Sequence, residues 1–404
     1  MRVALVVDRL RRRGGGVERY LRDLGDFLRA RGDEVFLLTG RASSAPRGAR
    51  EFAFARRVER SLREGRFESS LAVRHVLRAH VYEPHGGSIE AGLSARAEIS
   101  GSPPLARWLH RSAPKFRVFR ALEREALAKS RRVLAVSALV ARDLRRLESG
   151  AAIREFPLGV DLDRFAPTGY AENLRGRSGL RATDAALLFV GNDFDLKGLP
   201  AAIGALARIL REGRGAFLAI AGSGSRGSWR RARARAREVG VADRVVFRGP
   251  VEDPAPLYRG ARLLLHPTFY DPCSLATLEA LACGLPVVTT ARNGAAEVGG
   301  EGLRAVEDPR DEEAIARAAL SLLEPDASAR AAARASVEGR DSRERFERLR
   351  ELLVEAGGPL DEAASPDPTA SSVSSREAAG AERSLSPTSL PTSRGESRPG
   401  ARSG

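Results

Sequence analysis

Short apolar runs alternate with segments of helical periodicity along most of the chain, and this alternation constrains the fold more than any other sequence feature. Residues 3–7 form a continuous apolar run, as expected for a strand buried on both faces. Glycines at 14–16 form a turn, apolar residues then recur at helical spacing until Gly32, and residues 35–38 are the next predicted strand. Strand–helix–strand units of this spacing favour a parallel sheet, so we predict an α/β fold.

Both halves of the chain continue this pattern. In the first half we predict helices near 51–63 and 115–129, a strand ending at 81–82, a strand at 131–137 and a helix at 138–147. In the second half we predict strands at 186–190, 217–221, 245–247, 263–266 and 286–289, with helices at 200–211, 229–239, 256–260 and 275–282. Closing helices are predicted at 312–323 and 328–354.

The length of 404 residues fits two domains with additional segments. We predict an N-terminal domain over 1–160, a polar linker over 161–176, a C-terminal domain over 177–340 and a closing helix over 341–356. From about residue 357 to residue 404 the chain is mainly Ser, Pro, Thr, Gly, Ala, Glu and Arg. Because such a segment cannot bury enough surface to offset its ordering entropy, we predict a disordered tail over 357–404.

The net charge of +15 raises the question of a nucleic-acid partner. Only Lys115, Lys129 and Lys197 are lysines among the 67 basic residues. This bias toward arginine, beside abundant Ala and Gly, is typical of GC-rich coding and spreads the charge along the whole chain. We therefore predict no nucleic-acid partner and favour attraction to an anionic lipid or an anionic acceptor.

The cysteines and the apolar runs indicate a cytoplasmic protein. Cys273 and Cys283 form no cluster with histidines at zinc spacing, so we predict two reduced thiols and no metal site. The sequence has no apolar run of about 18 residues or more, the length that a membrane-spanning helix needs. The apolar run at the N-terminus is short and ends at Asp8, which favours a strand over a secretory signal.

The strongest motif runs from Asp271 to Val288 and reads DPCSLATLEALACGLPVV. The predicted helix at 275–282 begins directly after Ser274, and the free N–H groups and partial positive charge of a helix N-terminus suit a phosphate group. Glu279 lies further along this helix, where its carboxylate can accept hydrogen bonds from ribose hydroxyls. Asp271, at the mouth of the loop, can accept them from sugar hydroxyls. Ser274, Leu275 and Glu279 are therefore candidate ligand-binding residues.

A second motif is the loop FVGNDFDLKG at 189–198, between a predicted strand and a predicted helix. Lys197 is the only lysine after residue 129, and its compact ammonium group suits a diphosphate as a point charge. Asn192 stands earlier in the same loop. Lys197 is therefore a candidate cation for a leaving diphosphate, the alternative being an ordinary surface lysine.

Two glycine-containing loops in the first half are weaker signals. Gly14-Gly15-Gly16 lets the backbone approach a ligand closely, but without a complete G-x-G-x-x-G it is not a dinucleotide fingerprint. His85-Gly86-Gly87 follows a predicted strand, and a neutral imidazole can donate a hydrogen bond to a sugar hydroxyl. The alternatives are a tight turn for the first loop and a structural histidine for the second.

The chain resembles the retaining GT-B glycosyltransferases of the glycogen-synthase-like group, family 4, and in particular the lipopolysaccharide core glucosyltransferases. Two acids separated by seven residues before Gly-x-Pro-Val-Val are the hallmark of that group, and this chain has Asp271 in place of the usual first Glu. Where the family has an arginine beside the loop lysine, this chain has Asn192 or Leu196. The Gly-x-Asp-Phe pattern within the same loop is the feature shared with the lipopolysaccharide enzymes.

The resemblance implies two Rossmann-like domains with parallel sheets that face a cleft. It implies a nucleoside diphosphate sugar as donor, with UDP-glucose or a similar hexose favoured, no cofactor and no metal ion. Catalytic residues would be Lys197, Asp271 and His85. Donor-binding residues would be Gly15, Gly16, Asn192, Lys197, Gly222, Val251, Ser274, Leu275 and Glu279.

The acceptor implied by the resemblance is a glycan or a lipid-linked molecule of the cell envelope. Segments 104–111 and 115–120 mix aromatic residues with cations, as in a helix that lies on an anionic membrane. A basic helix packed on its own core is the alternative for these segments. For the whole chain, the alternatives are a nucleotide-sugar epimerase on the same fold and a non-catalytic basic protein that binds nucleic acid or membrane.

Overall fold

The computed structural model describes residues 1–7, 15–40, 45–101, 112–148, 150–176, 180–323 and 327–360. Residues 104–111 of the predicted membrane segment, Gly14 and residues 361–404 of the predicted tail lie outside these ranges. Within the described residues, no helix is both long and apolar enough to cross a membrane.

The first half of the chain forms a six-stranded parallel sheet. Its strands are β1 (Arg2–Val7), β2 (Glu34–Thr39), β3 (Ser69–Ala72), β4 (Val81–Tyr82), β5 (Arg132–Ala135) and β6 (Ile153–Glu155), in the order β2-β1-β3-β4-β5-β6. Its helices are α1 (Gly16–Ala30), α2 (Arg47–Arg63), α3 (Ile89–Ser100), α4 (Pro114–Lys129) and α5 (Ala138–Leu147). Residues 3–7 of β1 are buried, as a strand between two parallel neighbours requires.

The second half forms another six-stranded parallel sheet. Its strands are β7 (Ala185–Val190), β8 (Ala216–Ala221), β9 (Val245–Gly249), β10 (Leu263–Leu265), β11 (Val287–Thr290) and β12 (Leu303–Val306), in the order β12-β11-β10-β7-β8-β9. Its helices are α6 (Leu199–Arg211), α7 (Arg226–Glu238), α8 (Ala255–Gly260), α9 (Leu275–Ala282) and α10 (Glu312–Leu323), followed by α11 (Ala327–Ala335) and α12 (Ser342–Glu355). The predicted linker at 161–176 falls between the two sheets.

The predicted helix at 328–354 is wrong, because the chain breaks there into α11 and α12. Asp341 is extended and bridges to Val160, whose N–H donates to Arg340 O at 2.8 Å and whose carbonyl accepts from Ser342 N–H at 3.0 Å. The Asp341 carboxylate then caps the new helix by accepting from the Arg343 N–H at 2.6 Å. This side-by-side pairing has no signature in the local sequence.

Helix α12 returns to the first sheet and anchors there through Arg345. Its guanidinium is buried and donates to Glu83, to the Tyr20 hydroxyl at 2.7 Å and to Pro157 O at 2.7 Å. Burial alone would raise the pKa of Glu83, but the charge of Arg345 and the hydrogen bond from His85 hold it down at about 2. A buried ion pair thus joins the C-terminal helix to the first half of the chain.

The last described residues also lie on the first sheet. The imidazole of His80 contacts Gly358 O at 2.8 Å, and the guanidinium of Arg131 donates to Gly357 O at 2.6 Å. Residues 357–360, which were assigned to the disordered tail, therefore belong to the folded part of the chain.

Residues from the second half reach across to the first. The Tyr270 hydroxyl accepts from the Ser88 N–H at 3.1 Å and donates to Asp143 Oδ2 at 3.3 Å. Gly87 has φ of +66°, and a Cβ there would overlap the Tyr270 hydroxyl and lie 2.9 Å from Pro272 Cγ. Only glycine fits both the backbone conformation and the close approach.

We expect Glu83→Gln to destabilise the fold by about 3–5 kcal/mol at neutral pH, because it leaves the buried Arg345 without a counter-charge. The Glu83 carboxylate has a folded pKa of about 2 against its ordinary 4.5, so its stabilisation is complete above pH 4.5 and is lost as the pH falls toward 2. The difference between wild type and variant should shrink over that range. Urea unfolding at several pH values measures it.

The control for this variant is Glu155→Gln, which breaks the exposed Arg145–Glu155 pair of 3.1 Å. Its expected cost is below about 1 kcal/mol and nearly independent of pH. A Glu83→Gln variant as stable as this control would contradict the role assigned to the buried pair.

We expect Gly87→Ala to lower the unfolding temperature and Gly86→Ala to leave it unchanged, because a Cβ at Gly86 meets no atom within 4 Å. The cost at Gly87 combines about 1–2 kcal/mol of backbone strain with the overlap on Tyr270. Calorimetry on both variants checks this. Adding Tyr270→Ala to Gly87→Ala should restore part of the lost stability, and a double variant whose losses simply add would refute the overlap.

Candidate active site

The predicted site residues of the second half lie beyond the carboxyl ends of its strands, where open parallel sheets bind ligands. The loop 191–198 follows β7, and the loop 266–274 follows β10, the neighbouring strand. The loops are joined by the Phe269 N–H, which donates to Leu196 O at 2.8 Å, and by the Thr268 hydroxyl, which donates to the same oxygen at 3.0 Å. The two strongest motifs of the sequence therefore form one structure.

Lys197 and Asp271 form the ion pair at the centre of this structure. Lys197 Nζ lies 2.6 Å from Asp271 Oδ2, and His266 Nε2 lies 3.3 Å from the same oxygen. Burial alone would raise the pKa of Asp271, but the charge of Lys197 and the hydrogen bond to His266 hold that pKa well below its usual range. Burial lowers the pKa of His266. The Asp271 carboxylate is consequently ionised and faces the Lys197 ammonium.

The turn that follows Lys197 depends on Gly198. Its φ is +76°, and a Cβ there would overlap Pro267 O. The glycine thus lets the lysine loop pass against the loop that carries Asp271.

Helix α9 carries the remaining residues of the strongest motif. The Ser274 hydroxyl caps the helix by accepting from the Thr277 N–H at 3.2 Å, and the Ser274 N–H donates to Asn293 Oδ1 at 3.2 Å. Glu279 is 3% exposed; it accepts from the Tyr258 hydroxyl at 2.9 Å and pairs with the Arg19 guanidinium. Glu279 thus has one partner from each half of the chain.

The start of α1 approaches these residues from the first half of the chain. A Cβ on Gly15 would lie 3.2 Å from Asn192 Nδ2, and a Cβ on Gly16 would lie 3.0 Å from Leu275 Cδ1. The glycine turn therefore touches both the lysine loop and the first residue of α9. Four predicted donor-binding residues meet at this point.

Gly222 and Asn192 connect the next strand to the same loop. Gly222 has φ of +143°, and a Cβ there would overlap Gly191 O. Asn192 Oδ1 accepts from the Ser223 N–H at 3.0 Å and from the Ser223 hydroxyl at 2.9 Å. Val251 lies past the end of β9 and is 38% exposed.

His85 lies in the buried cluster around Arg345. Its side chain is 3% exposed, its Nε2 lies 3.1 Å from Glu83 Oε2, and its ring packs on Tyr20 with centroids 4.4 Å apart. The structure connects it to the ion pair only indirectly, through Gly87 and Tyr270. The role of His85 at the transferred sugar stays a prediction.

Sequence reasoning missed Arg19 and Tyr258, the partners of Glu279. An arginine does not stand out where nearly all basic residues are arginines. Its position in the first turn of the helix that follows the glycine turn was the available signal. Among the described residues, no group of three or more His, Cys, Asp or Glu side chains is arranged to hold a metal ion.

Two family models match the chain, one on each half. The model described as Glycosyltransferase Family 4 matches residues 14–164, and the model described as Glycosyl transferases group 1 matches residues 184–325.

Curated relatives cover part of the chain. The D-inositol 3-phosphate glycosyltransferase of Segniliparus rotundus is 38% identical over 149 residues, 36% of this chain and 31% of that protein. The lipopolysaccharide glucosyltransferase WaaG of Escherichia coli is 36% identical over 121 residues, 30% of this chain and 32% of that protein. The chain thus spans about a third of the length of each of these relatives.

Solved structures match the fold over nearly the whole described chain. A crystal structure of WaaG, a glycosyltransferase involved in lipopolysaccharide biosynthesis, has a TM-score of 0.71 at 21% identity and covers 87% of this chain and 99% of that one. The Anabaena protein HepE in complex with UDP-glucose has a TM-score of 0.62 at 19% identity and covers 88% of this chain and 100% of that one.

The two parallel sheets, the superposition on WaaG and the two family models agree on one assignment. The chain has the GT-B fold and belongs to the family 4 glycosyltransferases.

Proposed function

We propose that this chain transfers a hexose from a nucleoside diphosphate sugar, UDP-glucose or a similar donor, to a glycan or lipid-linked acceptor of the cell envelope. The transfer would retain the anomeric configuration and need no metal ion. The observation that carries the proposal is the convergence of the Lys197–Asp271 pair, the start of α9 and the Gly15–Gly16 turn at one point.

The diphosphate of the donor fits the first turn of α9. The helix N-terminus supplies free N–H groups and partial positive charge, and Lys197 supplies a full charge close by. Negative charge develops on the leaving phosphate during transfer, so cations fixed before the reaction lower the barrier. Asp271 holds the Lys197 ammonium in position at 2.6 Å.

The two acids of the motif would accept hydrogen bonds from the two sugars of the donor. Glu279 can accept hydrogen bonds from ribose hydroxyls, and Asp271 can accept them from hydroxyls of the transferred hexose. Retention follows if the acceptor hydroxyl attacks from the face that the diphosphate leaves. In that step the acceptor oxygen bonds to the anomeric carbon, the bond to the diphosphate oxygen breaks with its electron pair, and the acceptor proton passes to the departing phosphate.

The choice of donor and acceptor draws on similar proteins. HepE was solved in complex with UDP-glucose, and WaaG is a lipopolysaccharide glucosyltransferase. A cytoplasmic enzyme working at the inner face of the membrane fits such an acceptor. The start of α4 supports this location, since the Phe116 and Phe119 rings, 6.2 Å apart, are half-buried beside Lys115 and Arg47.

We expect Lys197→Ala to lower turnover by about 10²–10³-fold, because one preorganised group for the leaving charge is lost. Release of UDP from UDP-glucose, or of GDP and ADP from the matching glucose donors, measures turnover. The matched control is Lys129→Ala, which removes a lysine paired with Glu125 on α4. Circular dichroism should match wild type for both variants, and the melting temperature should fall only for Lys197→Ala, which leaves the buried Asp271 carboxylate without its counter-charge. Near-normal turnover in folded Lys197→Ala would rule out the role of Lys197.

We expect the transferred hexose to keep the anomeric configuration of the donor, and turnover in excess EDTA to stay within about twofold of the untreated enzyme. NMR of the anomeric proton of the product measures the first, and the nucleotide-release assay measures the second. An inverted product would refute front-face transfer. Activity lost in EDTA and recovered with Mg²⁺ would refute metal independence, since a divalent ion would then supply the charge assigned to Lys197.

A further inference from the structure

Arg19 is a half-buried cation at the cleft, and the proposed mechanism gives it no part. We propose that Arg19, from the first half of the chain, binds the donor diphosphate after exchanging its partner Glu279 for it. This inference rests on the proposed function and adds to it a second donor-binding cation, supplied by the opposite side of the cleft.

The position of Arg19 places it beside the expected diphosphate. It is the fourth residue of α1, and the first residue of that helix, Gly16, faces Leu275 at the first residue of α9. The first turns of two helices therefore meet, and both present N–H groups and partial positive charge. The Arg19 guanidinium already reaches into the second turn of α9, where it pairs with Glu279.

The charge on the second side of the cleft is insufficient by itself. A donor diphosphate carries about two negative charges and gains another as it leaves. In the loop 191–198 the one cation is Lys197, which already neutralises Asp271 at 2.6 Å, and Asn192 beside Gly15 is neutral. The acids of this loop, Asp193 and Asp195, are paired with Arg96 and Arg231. Arg19 would add a second cation, from the other side of the cleft.

When the donor is bound, both members of the Arg19–Glu279 pair gain new partners. Glu279 keeps the hydrogen bond from the Tyr258 hydroxyl at 2.9 Å, and the ribose hydroxyls replace the N–H donors of Arg19. The Arg19 side chain is 19% exposed and packs over the Phe165 ring at 5.7 Å, so it has a path into the cleft. A guanidinium binds phosphate through two parallel hydrogen bonds, which an ammonium does not.

The exchange makes the donor a bridge between the two sides of the cleft. Without donor, Arg19 and Glu279 hold the two sides together directly. With donor, the diphosphate and ribose stand between them, and the first half of the chain, where the acceptor is expected, contacts the donor through a cation. Binding of the diphosphate would in this way assemble the complete site.

The test compares how tightly uridine, UMP and UDP bind to wild type and to Arg19→Gln by isothermal titration calorimetry, with the guanosine and adenosine series run beside them. We expect the dissociation constant of Arg19→Gln for the nucleoside to stay within about twofold of wild type. Its dissociation constant for the diphosphate should rise by about tenfold to a hundredfold, because a charge-assisted bidentate contact is lost. Arg19→Lys should recover part of the loss. The matched control Arg29→Gln, which breaks an exposed pair with Asp26 on the same helix, should bind all ligands as wild type does.

The outcomes separate this inference from the proposed function. The inference is overturned if wild type binds UDP and Arg19→Gln binds it equally well. It is also overturned if the affinities of Arg19→Gln for uridine and for UDP fall by the same factor, because Arg19 would then act only by holding Glu279. If wild type binds none of the nucleoside diphosphates, the proposed function fails and the inference falls with it. A circular dichroism spectrum of Arg19→Gln that matches wild type confirms that the variant is folded.

Discussion

Two buried carboxylates, each held by one cation, determine what the cleft can do. Asp271 is paired with Lys197 and Glu279 with Arg19, and neither carboxylate is more than slightly exposed. A buried charge without a partner is too costly to persist, so each acid fixes the position of its cation as firmly as the cation fixes the acid. Both pairs join segments that are far apart in sequence. The cleft therefore contains positioned positive charge before any ligand arrives, and positive charge is what a leaving diphosphate requires.

Close approach of backbone makes these pairs attainable. A Cβ would overlap Tyr270 at Gly87 and Pro267 at Gly198, and a Cβ at Gly16 would come to 3.0 Å from Leu275 Cδ1. Each glycine stands where two segments meet rather than in the middle of a helix or strand. The glycines thus act mainly by allowing close contact between neighbouring segments. The Gly15–Gly16 turn, which lacks a complete dinucleotide fingerprint, packs against Asn192 and Leu275 across the cleft.

Local patterns predicted much of the fold and identified the two motifs that the structure brings together. Strands such as β1 and β7 are continuous apolar runs, and helices such as α5 and α9 begin directly after a capping serine, so periodicity and caps sufficed. Strand β3 was missed because two of its four residues are buried serines; the Ser70 hydroxyl pairs with His80 Nδ1 at 2.8 Å. The two motif acids could be identified by their spacing, and Lys197 could be identified because lysine is rare in this chain. Their partners Arg19 and Tyr258 were not found in this way, because a pairing is a property of the folded chain and has no local sequence signal.

The closing helix shows why the two halves of the site cannot be treated separately. Helix α12 leaves the second half, and its Arg345 is buried against Glu83 and Tyr20 in the first. Tyr20 is the residue next to Arg19, and Glu83 contacts His85 two positions before Gly87. The buried pair Arg345–Glu83 is thus adjacent in sequence to both segments through which the first half touches the second. A change that loosens α12 would move the α1 turn and the Gly87 loop together, and with them the Arg19–Glu279 and Tyr270 contacts. The C-terminal helix is therefore part of the framework that sets the spacing of the cleft, although none of its side chains lies in the Lys197–Asp271 pair.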